Sequence, residues 1–298
     1  MMDELELDAV HICTPNHTPV SYTHLDVYKR QGWDDRDVPD LKSEECAKWP
    51  HFKGGFGEYV HVFGGTYCWK VPDGMPSEIA ALLDPMAVAM RAVEEAMTSM
   101  GGLDEGININ TKALVVGAGA IGTMAAMILK QMGVERVIIT GRRDEKLKLA
   151  QEISGADEYV NVKEMSVKER IEKIREMTGG GADVVINCAS SPASCVEALQ
   201  MARFLGHYVE VGNANSWEDP DYKIEMNPAA VIFEHNVHVT SVCANSPATF
   251  DRAFRFLKRY EQLPFEKFLT HKFKTLEEVL PTIEKMKEPG YLKGVWIP

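Results

Sequence analysis

Residues 112–122 read KALVVGAGAIG, and this stretch decides the fold. After an initial lysine the residues form a continuous apolar run, which is typical of a strand buried on both faces of a parallel sheet. Gly117, Gly119 and Gly122 have the spacing GxGxxG, and residues 120–132 have the periodicity of a helix. A strand, this glycine pattern and a helix in this order predict a turn that binds a dinucleotide.

Each glycine of this turn has its own predicted role. Gly117 permits the tight turn, Gly119 leaves room for a pyrophosphate beside the backbone, and Gly122 lets the helix and the strand pack closely. The free N–H groups at the start of the helix, at Ala120 and Ile121, would bind the phosphates together with the helix dipole. The alternative is a glycine-rich turn that binds no ligand.

The sequence after this turn alternates between strand and helix signals. Strands are predicted at 112–117, 136–140, 159–162, 183–188, 207–212 and 238–243, and helices at 120–132, 144–154, 166–177, 192–204 and 247–260. Strands that alternate with helices pair in parallel through right-handed crossovers. The predicted fold is therefore α/β, with a doubly wound parallel sheet of the Rossmann type.

The carboxyl ends of the later strands supply further candidate binding residues, because open α/β sheets bind their ligands at that edge. The fourth strand ends at Asn187 and Cys188, and the fifth at Gly212 and Asn213. The sixth ends at Cys243. We expect all five residues to contact the cofactor.

The end of the second strand predicts which dinucleotide binds. Folds that bind NAD usually place Asp or Glu about 20 residues after the glycines, where it accepts hydrogen bonds from the ribose 2′-OH. Thr140 is followed here by Gly141, Arg142 and Arg143. Guanidinium groups pair well with a phosphate, so we expect NADP to be favoured over NAD. The alternative is that both arginines are solvated charges beside acidic neighbours.

The flanking sequence indicates a second, β-rich piece. Short strands are expected within 54–70 and at 268–273 and 292–297, with a helix at 275–287. Another helix is predicted at 85–98, and Asp84 would be its N-cap.

Composition and charge exclude several classes of protein. The chain of 298 residues is 45% hydrophobic and carries 32 basic and 44 acidic residues, a net charge of −12. An acidic surface argues against nucleic-acid and anionic-membrane partners. No apolar run approaches the about 20 residues that span a bilayer, and the acidic start is no secretory signal. Six cysteines without a CxxC pair are typical of reduced, cytoplasmic thiols.

Two segments near the N-terminus do not fit the rest of the chain. Residues 20–31 read VSYTHLDVYKRQ, which resembles the translation of two transposase recognition ends joined head to head, an artefact of sequencing-library preparation. The alternative is a genuine surface loop. Residues 8–18 read DAVHICTPNHT and resemble a strand near the cofactor in the glucose–fructose oxidoreductase / inositol dehydrogenase family. We therefore treat residues 1–31 as a foreign tail.

From residue 32 onward the sequence resembles one family. The stretches GGFGEYVHV, LLDPMAVAMRAVE, VVGAGAIG, GADVVINC, YVEVG and YLKGVWIP are similar, in this order, to the zinc-dependent medium-chain alcohol dehydrogenases, above all their sorbitol and threonine dehydrogenase branches. The resemblance implies a partial GroES-like catalytic domain at 32–87, an NAD(P)-binding Rossmann domain at 88–262, and a return to the catalytic domain at 263–298.

The resemblance also implies an enzyme that transfers hydride between an alcohol or polyol and NAD(P), with zinc stabilising the developing alkoxide. The family's Cys ligand and its Gly-His-Glu pair are missing, so no catalytic residue is named. Asp84 matches a position where relatives place a zinc ligand, but such sites need three protein ligands. Lys293 would contact a cofactor phosphate. We expect this chain to bind dinucleotide with impaired turnover, and zinc to bind in the intact parent.

Two other functions stay open on the sequence: a zinc-independent reductase of quinones or enones, and a dinucleotide-binding module without catalysis. The expected partners are a small alcohol or carbonyl substrate and further copies of the chain, joined into a dimer or tetramer through 238–243. Cys188, Cys195 and Cys243 are expected to be buried small hydrophobes and not nucleophiles, because no His–acid pattern accompanies them.

Overall fold

The computed structural model describes residues 68–97, 106–212, 225–243 and 245–297. The predictions for the N-terminal tail, for the transposase-like segment, for the strands before residue 68 and for Asn213 lie outside these residues. None of the helices in the described part is both long and apolar enough to cross a membrane.

Six parallel strands form one sheet in this part of the chain. They are β1 (Lys112–Val116), β2 (Arg136–Gly141), β3 (Glu158–Asn161), β4 (Ala182–Asn187), β5 (Ala202–Glu210) and β6 (His238–Ser241). Their order is β3-β2-β1-β4-β5-β6. The strand order changes direction between β1 and β4, which lie side by side although they are not consecutive in the chain. Sheets of this kind bind their ligands at the carboxyl ends of the two strands at such a switch point. The predicted α/β fold of the Rossmann type is confirmed.

The helices alternate with these strands. They are α1 (Ser77–Ala80), α2 (Leu83–Ala96), α3 (Ala120–Gln131), α4 (Asp144–Ser154), α5 (Val167–Thr178), α6 (Pro192–Met201), α7 (Pro247–Arg259) and α8 (Val279–Glu284). Their ends follow local sequence signals. Ser166 and Glu169 form a capping box at the start of α5, and Gly179, at φ 75°, ends this helix in the left-handed conformation.

The apolar run that defines β1 lies in the middle of the core. Ala113, Leu114 and Val115 are fully buried, as predicted for a strand covered on both faces. Leu114 packs in one cluster with Ile138 of β2 and Val185 of β4. The glycine turn therefore starts from a strand whose central residues lie in the core.

Strand β5 begins five residues earlier than predicted, and the helix before it ends at Met201 instead of 204. Ala182 pairs with Ala202, and the register then shifts so that Val184 pairs with His207. Leu205 accommodates this bulge with φ 59°. Residues after Met201 are thus drawn into pairing with β4, so tertiary contacts override their helical pattern.

The predicted helix at 275–287 is divided. Residues Leu276–Glu278 and Lys285–Lys287 are 3-10 turns, and only Val279–Glu284 between them is α-helical. Pro281 is the physical reason, because it has no N–H to donate and is tolerated only in the first turn of a helix. The predicted strand at 268–273 is shorter, since a 3-10 turn at Phe265–Phe268 takes up its start.

The described residues fall into two compact units. One contains 88–97, 106–212, 225–243 and 288–290, and with them the six-stranded sheet. The other contains 68–87, 245–287 and 291–297, and within it β7 (His271–Phe273) pairs in parallel with β8 (Gly294–Trp296). The identification of a GroES-like domain and the boundaries at 87 and 262 remain predictions.

Asp157, which lies just before β3, is hydrogen-bonded to α3 and to β2. Its carboxylate accepts hydrogen bonds from the Val137 backbone N–H at 2.7 Å and from Lys130 Nζ at 2.8 Å. Partial burial raises the pKa of this carboxyl, but the hydrogen bonds from Lys130 and Val137 and the charge of Lys130 outweigh it, so the pKa lies below its usual range. The ionised form therefore stabilises the fold.

We expect Asp157→Asn to lower the free energy of unfolding by about 1–2 kcal/mol at neutral pH. Because the folded pKa is depressed, the contribution of Asp157 is complete above the unfolded-state pKa near ~3.9 and is lost as pH falls through the folded pKa. Urea unfolding of both proteins at pH 7 and pH 3 measures this difference, which should shrink at pH 3. An equal difference at both pH values would contradict it, and Glu164→Gln, an exposed carboxylate, is the control.

Candidate dinucleotide site

The glycine turn lies at the carboxyl end of β1, between the ends of β2 and β4. Gly117 has φ 107°, a conformation that side chains rarely adopt, and its N–H donates to the Thr140 carbonyl at 2.9 Å. A Cβ on Gly117 would lie 3.1 Å from the backbone nitrogen of Ala189. The first glycine therefore allows three strand ends to meet.

The other two glycines have different surroundings. A Cβ on Gly122 would lie 2.0 Å from the Gly117 carbonyl oxygen, so only glycine permits this contact of helix and turn. A Cβ on Gly119 would meet nothing within 4 Å. Gly119 thus faces open space directly at the start of α3. The predicted packing roles of Gly117 and Gly122 agree with this geometry, and the binding of a pyrophosphate beside Gly119 stays a prediction.

The start of α3 presents backbone donors to that space. Its first internal hydrogen bond runs from Thr123 N–H to the Gly119 carbonyl at 2.9 Å, and no side chain caps the helix. The N–H groups of Ala120, Ile121 and Gly122 therefore have no partner within the helix. An open cradle lined by such donors, at the positive end of a helix of 12 residues, fits a diphosphate.

The end of β2 carries positive charge. Thr140 is buried and uses its carbonyl to hold Gly117, while Arg142 and Arg143 are exposed. Lys146 is half-buried in the first turn of α4, and burial together with the charge of Arg143 lowers the pKa of its amine. These side chains form a basic cluster, defined here as Arg142, Arg143 and Lys146. Sequence reasoning missed Lys146, although its place in the first turn after the arginines was readable.

Within the part of the chain that the structure describes, no acidic side chain forms an ion pair with the basic cluster. Asp144 accepts a hydrogen bond from Asn161 Nδ2 at 2.8 Å, which directs its carboxylate to the end of β3. Gly141 stands where an acidic side chain would be expected, and a Cβ there would already lie 3.2 Å from a methyl carbon of Leu147. The end of β2, where we expect the adenosine ribose to bind, is therefore basic.

Asn187 holds the ends of β4 and β5 together. It is fully buried, and its carbonyl accepts from the N–H groups of Val211 and Gly212, both at 2.9 Å. Its Oδ1 accepts from Ala189 N–H at 3.3 Å. A Cβ on Gly212 would lie 2.0 Å from the Ala189 carbonyl oxygen, so glycine is required for this approach. The predicted residues Asn187 and Gly212 thus shape the same edge of the sheet.

The cysteines of this edge differ from one another. Cys188 and Cys195 are half-buried and not fully buried as expected. Burial and then the charge of Glu210 raise the pKa of the Cys188 thiol, and burial also raises the pKa of Cys195, so both thiols are protonated at neutral pH. Cys243 is exposed, so the expectation that it is buried is wrong. Its carbonyl accepts from Arg91 Nη1 at 3.2 Å. Arg91 therefore anchors the chain just after β6, a role that no sequence motif indicated.

Asp84 does not cap a helix. The Leu82 carbonyl accepts from Met86 N–H at 3.0 Å, so α2 starts one residue earlier than Asp84, which lies within the first turn. A carboxylate there still interacts favourably with the helix dipole. Among the described residues no three His, Cys, Asp or Glu side chains come together as a metal site. A catalytic zinc needs three protein ligands, so the described residues do not fit one.

Lys293 lies in the unit that contains β7 and β8. It is largely buried, and its carbonyl accepts from His271 N–H at 3.2 Å and from Thr270 Oγ1 at 3.4 Å. Its backbone thus joins the two strands of the small sheet. A contact between Lys293 and a cofactor phosphate remains a prediction.

Comparisons with known proteins support the resemblance in the sequence. Residues 120–259 match the family model described as zinc-binding dehydrogenase. The sorbitol dehydrogenase of Bombyx mori is 28% identical over 72% of this chain and 56% of its own length, and that of Homo sapiens is 31% identical over 52% and 40%. An alcohol dehydrogenase from Thermotoga maritima superposes with a TM-score of 0.72 at 25% identity, over 85% of this chain and 66% of that chain. The chain thus spans about half the length of the curated relatives it matches.

We expect Gly119→Ala to leave the fold intact and to weaken dinucleotide binding about tenfold or more, because the new methyl group enters open space that the pyrophosphate needs. Thermal unfolding and titration with NADPH measure the two effects. Gly290→Ala, at another open glycine, is the control. Unchanged affinity in a folded Gly119→Ala variant would show that the phosphates bind elsewhere.

Proposed function

We propose that this chain is an NAD(P)-dependent oxidoreductase of the zinc-binding dehydrogenase type, which transfers hydride between a small alcohol or polyol and the nicotinamide ring. The observation that carries the proposal is the open cradle at Gly119, where the start of α3 meets the central strand β1. The sorbitol dehydrogenases among the relatives support a polyol as the substrate class. Dinucleotide binding supplies the hydride acceptor.

We further propose that NADP is preferred over NAD. The basic cluster at the end of β2 supports this preference, since two exposed guanidinium groups and a half-buried amine lie where a carboxylate would bind the ribose of NAD. An adenosine 2′-phosphate carries nearly two negative charges and would pair with these groups. Lys146 adds a third donor to the two arginines that the sequence suggested.

A module that binds dinucleotide without turnover is the second candidate. The observation that favours it is that the described residues complete the phosphate cradle but include no group of three metal-ligating side chains. The distinction needs two measurements on the whole chain. Titration with NADPH reports binding, and an assay with sorbitol and NADP, with and without added zinc, reports turnover.

The outcomes of these measurements separate the candidates. Micromolar binding with zinc-dependent turnover supports the dehydrogenase, and binding without turnover under any metal condition supports the module. The absence of binding to both NADPH and NADH would contradict both.

The edge strand supports a proposal about assembly. Strand β6 is at the end of the strand order in the described sheet, and Val239 within it is 43% exposed. An uncovered edge strand offers backbone groups for pairing with a second copy. We propose a dimer that pairs through β6, which size-exclusion chromatography with light scattering tests directly.

We expect Lys146→Ala to weaken NADPH binding by about tenfold and to leave NADH binding within about twofold, because only NADPH carries the 2′-phosphate. Isothermal titration with each cofactor measures the change. Lys148→Ala, which removes an exposed lysine two residues along α4, is the matched control. Equal loss of affinity for both cofactors would place Lys146 away from the 2′-phosphate.

A further inference from the structure

The ends of β4 and β5 hold a carboxylate in an unusual setting. Asn187 and Glu210 are register partners at the last positions of their strands. One oxygen of Glu210, Oε2, accepts a hydrogen bond from Asn187 Nδ2 at 2.9 Å and another from the Tyr208 hydroxyl. The other oxygen, Oε1, is shielded from solvent and has no hydrogen-bond partner. The carboxylate is therefore only half satisfied.

No positive side chain among the described residues forms an ion pair with Glu210. The groups that donate to it, the Asn187 amide, the Tyr208 phenol and the Cys195 thiol, are neutral. Burial and the negative charge of Glu210 raise the pKa values of Tyr208 and Cys188, so both stay protonated and neutral around it. Glu210 is half-buried, and a carboxylate oxygen that is shielded from water and has no counter-charge costs free energy, which a nearby cation would offset.

The position of Glu210 in the sheet indicates which part of a bound dinucleotide would supply this positive charge. A dinucleotide lies across the carboxyl ends of the strands, with one mononucleotide on each half of the sheet. The basic cluster assigns the adenosine half to β2, which leaves β4, β5 and β6 for the nicotinamide half. The oxidised nicotinamide ring carries a positive charge, and the reduced ring is neutral. Glu210 thus lies at the end of a strand in the half of the sheet assigned to the nicotinamide, whose ring is positively charged when oxidised and neutral when reduced.

We propose that Glu210 selects the oxidation state of the bound cofactor: its carboxylate stabilises the cationic, oxidised nicotinamide and so favours NADP over NADPH. This inference rests on the proposed function, because it requires the chain to bind a dinucleotide. The effect acts through space and requires no contact between Glu210 and the ring. It favours alcohol oxidation, since the bound oxidised cofactor is the hydride acceptor.

A purely structural role for Glu210 has a different consequence. If the carboxylate only fixed Asn187 and the loops that follow β4 and β5, its loss would weaken the oxidised and reduced cofactors equally. A charge effect changes their ratio, because only one of the two ligands is cationic in its ring. The ratio of dissociation constants therefore distinguishes the two roles.

The test compares the whole chain with Glu210→Gln, which keeps the shape and removes the charge. We expect the ratio of the NADP dissociation constant to the NADPH dissociation constant to rise on the order of tenfold, because the cationic ring loses the attraction of a unit charge in a medium with an effective dielectric constant of about 20. Isothermal titration of NADP and quenching of protein fluorescence by NADPH give the two constants. Thermal unfolding of the free protein confirms that the variant folds.

Two further variants complete the design. Glu158→Gln removes a carboxylate at the start of β3, where it pairs with Arg136 at 3.1 Å, and should leave the ratio unchanged. Glu210→Leu removes the charge without introducing a new amide group, and serves if Glu210→Gln does not fold. An unchanged ratio in a folded Glu210 variant, or an equal loss of both affinities, would overturn the inference alone. Failure of the unmodified chain to bind either cofactor would instead overturn the proposed function, and this inference with it.

Discussion

The close approach of Gly122 to the Gly117 carbonyl is the contact on which the rest of the site depends. No residue with a side chain fits there, since a Cβ would lie 2.0 Å from that oxygen. This contact brings the start of α3 against the end of β1 and leaves Gly119 beside open space. The free N–H groups of the helix then face that space. The cradle proposed to bind a diphosphate is therefore a consequence of packing and not of any charged side chain.

Around this centre the two halves of the sheet differ in charge. The end of β2 presents the basic cluster, whereas the ends of β4 and β5 enclose the half-satisfied carboxylate of Glu210. A dinucleotide has the complementary asymmetry, because a 2′-phosphate is at one end and a ring that becomes cationic on oxidation is at the other. This difference in charge along the edge of the sheet underlies both proposals, the preference for NADP over NAD and the preference for the oxidised over the reduced cofactor.

Much of the fold was predictable, because its signals are local. The strands β1 to β4 and the helices α3 to α5 were predicted within one residue at nearly every end, since apolar runs, capping residues and glycines mark them directly. The start of β5 was missed, because residues after Met201 have a helical pattern and become extended only by pairing with β4. The division of the predicted helix at 275–287 was readable from Pro281 but was overlooked.

The sequence by itself determined the Rossmann fold, the glycine cradle and the missing acidic residue after β2, because each depends on residues that are neighbours in the chain. Only the tertiary structure revealed the anchoring of the Cys243 carbonyl by Arg91 and the joining of Asn187 to Glu210. These two contacts connect residues that are 152 and 23 positions apart. No local pattern marks such pairs, since the path of the chain through the sheet decides which side chains meet.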